Sequence, residues 1–368
     1  MKIHLRRWVG MDSKLPFNRT SRVLLALLTA ATFALPAAAQ VKPNATAADV
    51  ANYKGADREQ KLIEGAKKEG SLDIYTSAQS DDMGALVGAF EKKYGVKVNV
   101  WRASSEKVLQ RAVTEARGNR HTVDVCETNG PELEALSREK LLEKVNSPYL
   151  ADLIAPALRP HGEWVGTRLN VFVQAYNTQA VKKEDLPKTW EDLAQPKWKG
   201  KLGIEQEDSD WLAGQFAELG EARAQKVFKE IVDKNGVSVR KGHTLLTQLV
   251  VSGEIPFALT VYNYKAEQLK GKGAPIDWFS IGPAIARPNG IGVLKKAPHP
   301  HAAVLFYDFE ISPEGQRILA GRDFVPTSKK VDTPLNKIPM KFVDARVALD
   351  EFQKWEKLYA DLFTKGAK

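Results

Sequence analysis

Apolar residues switch repeatedly between helical and strand spacing in the first half of the chain. Positions 83, 86, 87 and 90 share one helical face, whereas 96–101 alternates as a strand does. A helix over 105–117 and an apolar strand over 123–126 follow, and a strand over 71–76 comes before them. The order strand, helix, strand, helix, strand predicts a parallel sheet with right-handed crossovers.

The middle of the chain changes character. A long strand covers 168–176, and a second long strand covers 285–292. Between them, short strands near 202–204 and 237–239 alternate with helices, and the tail after His299 is mainly helical. Because 368 residues exceed the size that one compact core usually reaches, we expect two lobes.

One transition from strand to helix carries two phenols and an amide. The segment FALTVYNYKAEQL, residues 257–269, starts as an apolar β-branched run, passes through Tyr262, Asn263 and Tyr264, and ends with helical composition. Ligands of open α/β folds bind at the carboxyl ends of strands, where the first amides of the next helix are free. If the strand persists to Tyr264, alternation places both phenols on one side. The alternative is one core tyrosine and one surface tyrosine.

Other strand ends share this polar and aromatic character, so they predict a binding site in a cleft rather than a reactive centre. The candidate ligand-binding residues are Ser77, Gln79, Trp101, Ser104, Ser105, Thr128, Asn129, Asp208, Asp210, Trp211, Tyr262, Asn263, Tyr264, Arg287 and Asn289. We expect no catalytic residues and no cofactor, and a metal only if the ligand is iron, which Tyr264 and Tyr262 would then bind.

The first 39 residues have the order of a secretory signal peptide. Basic residues precede the apolar run 23–28, and Ala37, Ala38 and Ala39 precede Gln40. We expect cleavage before Gln40 and a periplasmic protein, with an uncleaved anchor as the alternative and Met11 as an alternative start. These residues hold six Lys and Arg and one acid, so they account for +5 of the formal charge of +9. The remaining chain is too balanced to indicate nucleic acid as a partner.

Signatures of several enzyme classes are absent from the sequence. There is no G-x-S-x-G and no G-x-G-x-x-G after a strand. The glycines at 65 and 70 have the spacing of a phosphate-binding loop, but Ser71 stands where such a loop needs a lysine. His299 and His301 flank Pro300, which indicates a solvated loop rather than a zinc pair. Cys126 is the only cysteine and lies in an apolar run, which predicts a buried structural thiol.

The order of short motifs resembles the type 2 periplasmic solute-binding proteins of ABC importers, in the branch that includes the iron(III)-binding proteins. The motifs are LDIY (72–75), FEKKYGVKV (90–98), VDV (123–125), YNT (176–178), PKWKGKLG (196–203), GEIPFAL (253–259) and SPEGQ (312–316). The resemblance implies an α/β fold of two lobes, each a mainly parallel sheet with helices on both faces, joined by two crossing strands.

The resemblance also implies domain boundaries and partners. Residues 1–39 would be the signal peptide, 40–166 plus 288–368 the first lobe with the C-terminal helices, and 167–287 the second lobe. The protein would be a monomer that delivers its ligand to an inner-membrane permease with its ATPase. A receptor-linked solute sensor is an alternative, and so is a porphobilinogen-deaminase-like transferase, for which Cys126 would be the only nucleophile.

The ligand is a separate question. Iron-binding relatives hold Fe(III) with adjacent tyrosines, often with a histidine after the first strand and a glutamate after the third. Here only Tyr264 is cleanly retained, while Gln79 stands in place of the histidine and Asn129 or Gly130 in place of the glutamate. We therefore expect a small polar organic solute, with iron(III) as the alternative.

Charged residues at the predicted cleft favour opposite ligands. The acids of the segment EQEDSD, residues 205–210, would attract a cation or metal, or they form an ordinary acidic helix start with Asp208 or Ser209 as the N-cap. Arg287 would hold a carboxylate or phosphate, or it forms a salt bridge between lobes. A solute that carries both charges would use both features.

Overall fold

The computed structural model describes residues 45–364, so the predicted signal peptide lies outside the described residues. Strands are β1 Ser71–Thr76, β2 Lys97–Arg102, β3 Val125–Asn129, β4 Leu142–Glu143, β5 Val165–Asn177, β6 Leu202–Glu205, β7 Ser238–Arg240, β8 Phe257–Tyr262, β9 Ile276–Phe279, β10 Ala284–Leu294, β11 Val325–Pro326 and β12 Met340–Phe342. Helices are α1 Ala47–Ala51, α2 Arg58–Glu69, α3 Ser80–Tyr94, α4 Ser105–Arg117, α5 Gly130–Arg138, α6 Ser209–Leu219, α7 Glu221–Asn235, α8 His243–Ser252, α9 Asn263–Gly271, α10 Pro300–Ile311, α11 Pro313–Ala320, α12 Ala345–Asp350 and α13 Phe352–Tyr359. None of the helices within this range combines the length and apolar character needed to cross a membrane.

Two long strands occupy the centre of the sheet. The strand order is β2, β1, β3, β10, β5, β8, β6, β7. The strands β1, β2 and β3 are parallel on one side, and β6 runs parallel to β7 and β8 on the other. The antiparallel pair β5 and β10 connects the two groups, and every residue of β5 is buried. The predicted α/β architecture with two crossing strands is confirmed, while the predicted lobe boundaries stay predictions.

Local sequence explains where the elements around the cleft begin and end. The helix α4 has the predicted bounds, because Ser104 accepts a hydrogen bond from the Lys107 amide at its start. The strand β3 extends to Asn129, three residues beyond the predicted end, and Pro131 then lies in the first turn of α5. The candidate site residues Thr128 and Asn129 thus form the end of β3.

The interpretation of His299 and His301 as a solvated loop is wrong. Both lie at the start of α10, where His299 Nδ1 is 2.9 Å from Asp124 Oδ2 and His301 Nδ1 is 2.6 Å from Glu69 Oε1. The two histidines therefore join α10 to the neighbouring elements. Cys126 is fully buried, as predicted, and burial raises the pKa of its thiol to about 12.

The contact between β5 and β10 depends on Gly290. The register shifts between Asn289 and Gly290, and a Cβ atom at Gly290 would lie 2.2 Å from the carbonyl oxygen of Val165. Gly290→Ala should therefore push backbone against backbone and lower the free energy of unfolding by about 1–3 kcal/mol. Chemical denaturation measures this effect.

Gly84→Ala is the matched control. Gly84 lies inside α3, and a Cβ atom there would meet nothing within 4 Å. Alanine at that position should stabilise the protein by about 0.5–1 kcal/mol. Equal effects of the two substitutions would contradict the close approach of the central strands.

Candidate functional site

The transition from β8 to α9 places two phenols face to face. The strand ends at Tyr262, so the condition under which strand alternation would align the two phenols is not met. Tyr264 instead lies in the first turn of α9. The two rings nevertheless stack, with centroids 5.9 Å apart and planes at 17°. The two phenols therefore lie side by side, and the first turn of α9 rather than a continued strand positions Tyr264.

Arg287 connects three of the predicted junctions. Its guanidinium donates one hydrogen bond to the Asp210 carboxylate and another to the Tyr262 hydroxyl. Its central carbon lies 5.3 Å from the centroid of the Phe172 ring, which pairs across strands with Tyr262. The buried carboxylates and phenol around Arg287 raise its pKa although burial opposes this, so the side chain is a permanent cation.

His243 lies on the other face of this group. Its ring stacks on Tyr262 with centroids 3.7 Å apart, and its Nε2 lies 3.1 Å from Asp208 Oδ1. Asp208 occupies the N-cap position of α6, but its side chain makes no capping hydrogen bond. The carboxylate is directed to the histidine instead. Sequence reasoning missed His243, although the histidine begins a predicted helix directly after a predicted strand.

Amides and hydroxyls form the neighbouring part of the site. Asn129 Oδ1 accepts hydrogen bonds from Asn289 Nδ2 at 3.1 Å and Asn170 Nδ2 at 3.3 Å. Thr128 donates to Ser77 Oγ at 3.1 Å. The pairing of β3 with β10 sets Asn129 opposite Asn289, two residues from Arg287. Predicted residues that follow β1, end β3 and lie in β10 are thereby brought together.

Tyr264 is held between apolar and charged neighbours. Its ring lies 4.2 Å from that of Phe324, and the Arg168 guanidinium carbon lies 4.8 Å from the same Phe324 ring. Burial raises the pKa of the Tyr264 hydroxyl, with Arg168 opposing the shift. The phenol is therefore a neutral hydrogen-bonding group in the protein alone.

Other predicted site residues serve different contacts. Trp211 is fully buried against Trp190 and Phe228, at ring distances of 5.6 and 5.4 Å, and is a core residue. Trp101 packs against Tyr75 at 5.0 Å. The remaining three lie at helix starts: Gln79 at the N-cap of α3, and Ser104 and Ser105 at the start of α4. The Trp211 backbone amide donates to Asp210 Oδ1 at 2.9 Å, so Trp211 reaches the Arg287 cluster through its backbone.

Glu132 is a second residue that sequence reasoning missed. It lies in the first turn of α5, and its Oε2 is buried without a hydrogen-bond partner among the described residues. Burial raises the pKa of Glu132 to about 7, and Arg287 opposes that shift. The sequence offers one signal for Glu132, which is its position one helical turn after the predicted site residue Asn129.

The raised pKa of Glu132 predicts a pH-dependent stability. The folded state keeps the proton up to about pH 7, whereas the unfolded state releases it near the ordinary value of 4.5. The stability that this proton provides is therefore complete below pH 4.5 and lost as the pH rises through 7. We expect Glu132→Gln to remove a slope of up to about 1.4 kcal/mol per pH unit in that window.

Denaturation at a series of pH values measures this slope. Glu139→Gln is the control, because Glu139 is an exposed residue at the end of the same helix. A variant at Glu132 that keeps the full slope of the unmodified protein would contradict the assigned burial of this carboxyl group.

A cavity of about 580 Å³ lies away from this cluster. Its lining includes Arg58, Tyr94, Tyr149 and Asp308, and none of the predicted junction residues. We place the candidate site at the junction cluster around Arg287, where side chains from both sides of the sheet converge.

Known protein sequences are similar to this chain over most of its length. The profile of the family described as bacterial extracellular solute-binding protein matches residues 85–348. The chain is 27% identical over 289 residues to iron uptake protein A1 of Synechocystis sp., covering 74% of this chain and 79% of the relative. It is 24% identical over 313 residues to the Fe(3+)-binding periplasmic protein of Serratia marcescens, covering 82% and 91%.

Solved structures give the same fold. Iron-bound HitA from Pseudomonas aeruginosa superposes with a TM-score of 0.69 at 25% identity, covering 79% of this chain and 99% of HitA. The periplasmic binding protein AfuA from Actinobacillus pleuropneumoniae, with fructose-6-phosphate bound, gives a TM-score of 0.70 at 24% identity, covering 80% and 99%. The second likeness shows the fold alone.

Proposed function

We propose, since the chain belongs to the family of bacterial extracellular solute-binding proteins, that it captures a small polar organic solute between two closing lobes in the periplasm. Membership of this family confirms the resemblance found in the sequence. The protein would act as a binding component without enzymatic activity, and would deliver its solute to the permease and ATPase of an ABC importer.

Unpaired polar atoms around Arg287 support a polar organic ligand. Arg287 Nε, Glu132 Oε2 and Asn289 Oδ1 are buried and have no hydrogen-bond partner among the described residues. The same holds for both side-chain polar atoms of Asn263. Buried polar atoms of this kind cost about 1–3 kcal/mol each when unsatisfied. A solute with both donors and acceptors would recover part of that free energy on binding.

The aromatic wall complements these polar atoms. Tyr262 and Tyr264 present parallel rings, and the Phe172 ring lies 5.2 Å from that of Tyr262. Apolar and aromatic surfaces with a few converging polar groups are typical of small-molecule sites. The wall would pack against the carbon skeleton of the solute while the amides and charges orient its polar groups.

Iron(III) is the second candidate, and it is favoured by the two stacked phenols together with the names of the relatives. One observation weighs against it. The Arg287 guanidinium donates directly to the Tyr262 hydroxyl, so a metal at that oxygen would have to displace this hydrogen bond. This contact is the observation that carries our preference for an organic solute.

A thermal-shift screen with full-length protein tests the proposal. The panel contains amino acids, polyamines, sugar phosphates and organic acids, and includes ferric citrate as the iron probe. We expect an organic solute to raise the melting temperature and to decrease the radius of gyration in small-angle scattering, because a ligand that contacts both lobes favours closure. An unchanged radius at verified saturation would contradict capture by closing lobes.

A further inference from the structure

We propose that Glu205, Asp208 and His243 form a binding site for one divalent transition-metal ion such as Zn²⁺. Glu205 ends β6, Asp208 lies in the turn before α6, and His243 begins α8. Each residue offers one ligand atom, and the three atoms lie within 4.8 Å of one another. The chain thus brings three potential ligands together from separate elements.

Unsatisfied atoms within this triad point to a ligand. Asp208 is 1% exposed, and its Oδ2 has no hydrogen-bond partner among the described residues. His243 Nδ1 is also buried and unpaired in that part of the chain. A buried carboxylate oxygen and a buried imidazole nitrogen are rarely left without partners, because each loses its hydration. A metal ion would satisfy the Asp208 lone pair that the protein itself leaves unused.

The charge balance favours a divalent ion. Glu205 and Asp208 bring two negative charges into a buried region, while the nearby Arg287 is already matched by Asp210. Two carboxylates and a neutral imidazole become neutral when one divalent ion binds.

The donor set matches zinc. One imidazole nitrogen with two carboxylate oxygens provides three protein ligands and leaves a fourth position for water. The contact with Tyr262 is a ring stack, and metal bonds lie in the imidazole plane, so stacking leaves the nitrogen atoms accessible. Two backbone amides, those of Gly242 and Glu207, already donate to the Glu205 carboxylate and orient it.

A second triad in the protein provides a matched control. Asp73, Asp124 and His299 also bring ligand atoms within 4.8 Å. There, however, Asp124 accepts hydrogen bonds from the amides of Asp73 at 2.8 Å and His299 at 2.7 Å, and from the His299 ring. Glu205 of the proposed triad is hydrogen-bonded in a similar way, but among the described residues no atom of the second triad is buried and unpaired as Asp208 Oδ2 is. We therefore assign no metal to the second triad.

Zinc binding to the untagged full-length protein tests the assignment. After treatment with a chelator, equilibrium dialysis against ZnCl₂ with elemental analysis should give about one bound ion per chain. We expect Asp208→Asn and His243→Gln to weaken binding by more than about 100-fold, since each removes a direct ligand. His299→Gln and Tyr264→Phe should retain full binding, because neither touches the triad.

Several results would overturn the site. These are the absence of zinc binding by the unmodified protein, loss of binding in His299→Gln, and retention of full affinity in both triad variants. Circular dichroism checks that each variant is folded. If the triad variants do not fold, zinc-edge X-ray absorption of His299→Gln decides the question. We expect one imidazole ligand with oxygen atoms as the other ligands, and any other ligand set contradicts the assignment.

Discussion

Replacing Arg287 with methionine is expected to lower the free energy of unfolding by about 3–5 kcal/mol, because it leaves a buried carboxylate without its partner. Asp210 is 7% exposed and accepts a hydrogen bond from Arg287. Burial raises the pKa of Asp210, and the guanidinium opposes that shift. Without Arg287, the carboxyl group must either remain charged in a buried position or bind a proton.

The double variant Arg287→Met with Asp210→Asn separates the ion pair from general disruption. Removing both charges should restore much of the stability, since the remaining groups are neutral. Urea denaturation of the two single variants and the double variant measures the coupling energy. Additive losses would show that the two residues act independently and would contradict the central position assigned to Arg287.

Tyr262→Ala is the second substitution with a large expected effect. The ring lies 3.7 Å from that of His243 and 5.2 Å from that of Phe172, so its removal opens a cavity in the wall. We expect a loss of about 3–5 kcal/mol in stability. Affinity for a solute found in the screen should fall about 10- to 100-fold, which corresponds to about 1.4–2.8 kcal/mol.

Two further variants make this prediction specific. Tyr262→Phe keeps the stack and removes the hydroxyl that accepts from Arg287, so it should cost only about 1–3 kcal/mol. Tyr149→Ala removes a half-buried tyrosine that lines the separate cavity, so it should leave solute affinity unchanged. Equal affinity of Tyr262→Ala and the unmodified protein, measured by calorimetry, would exclude this wall from the site.

The sequence predicted the elements well where the pattern is local. The apolar spacing in α3 and the capping serine of α4 are properties of neighbouring residues, so their signals are visible without the fold. The same is true of the strand-to-helix transition at Tyr262. The local pattern left open whether β8 continues to Tyr264, and the structure ends the strand at Tyr262.

Contacts between distant segments limited the prediction of the site. His243 on α8 and Glu132 on α5 come near Tyr262 and Arg287 only through the order of the strands in the folded sheet. Trp211 looks like a ligand-contacting aromatic at a helix start, but the helix turns it into the core. Side-chain direction in the first helical turn is set by tertiary packing, which no local pattern records.

The most direct test is to purify the full-length protein from iron-replete cells and to record its visible absorption together with its native mass. We expect a colourless protein that carries a small organic solute released on denaturation, and a spectrum that Tyr264→Phe leaves unchanged. A coloured, iron-loaded protein whose tyrosinate-to-iron charge-transfer band is bleached in Tyr264→Phe would contradict the proposed organic ligand and establish iron(III) in its place.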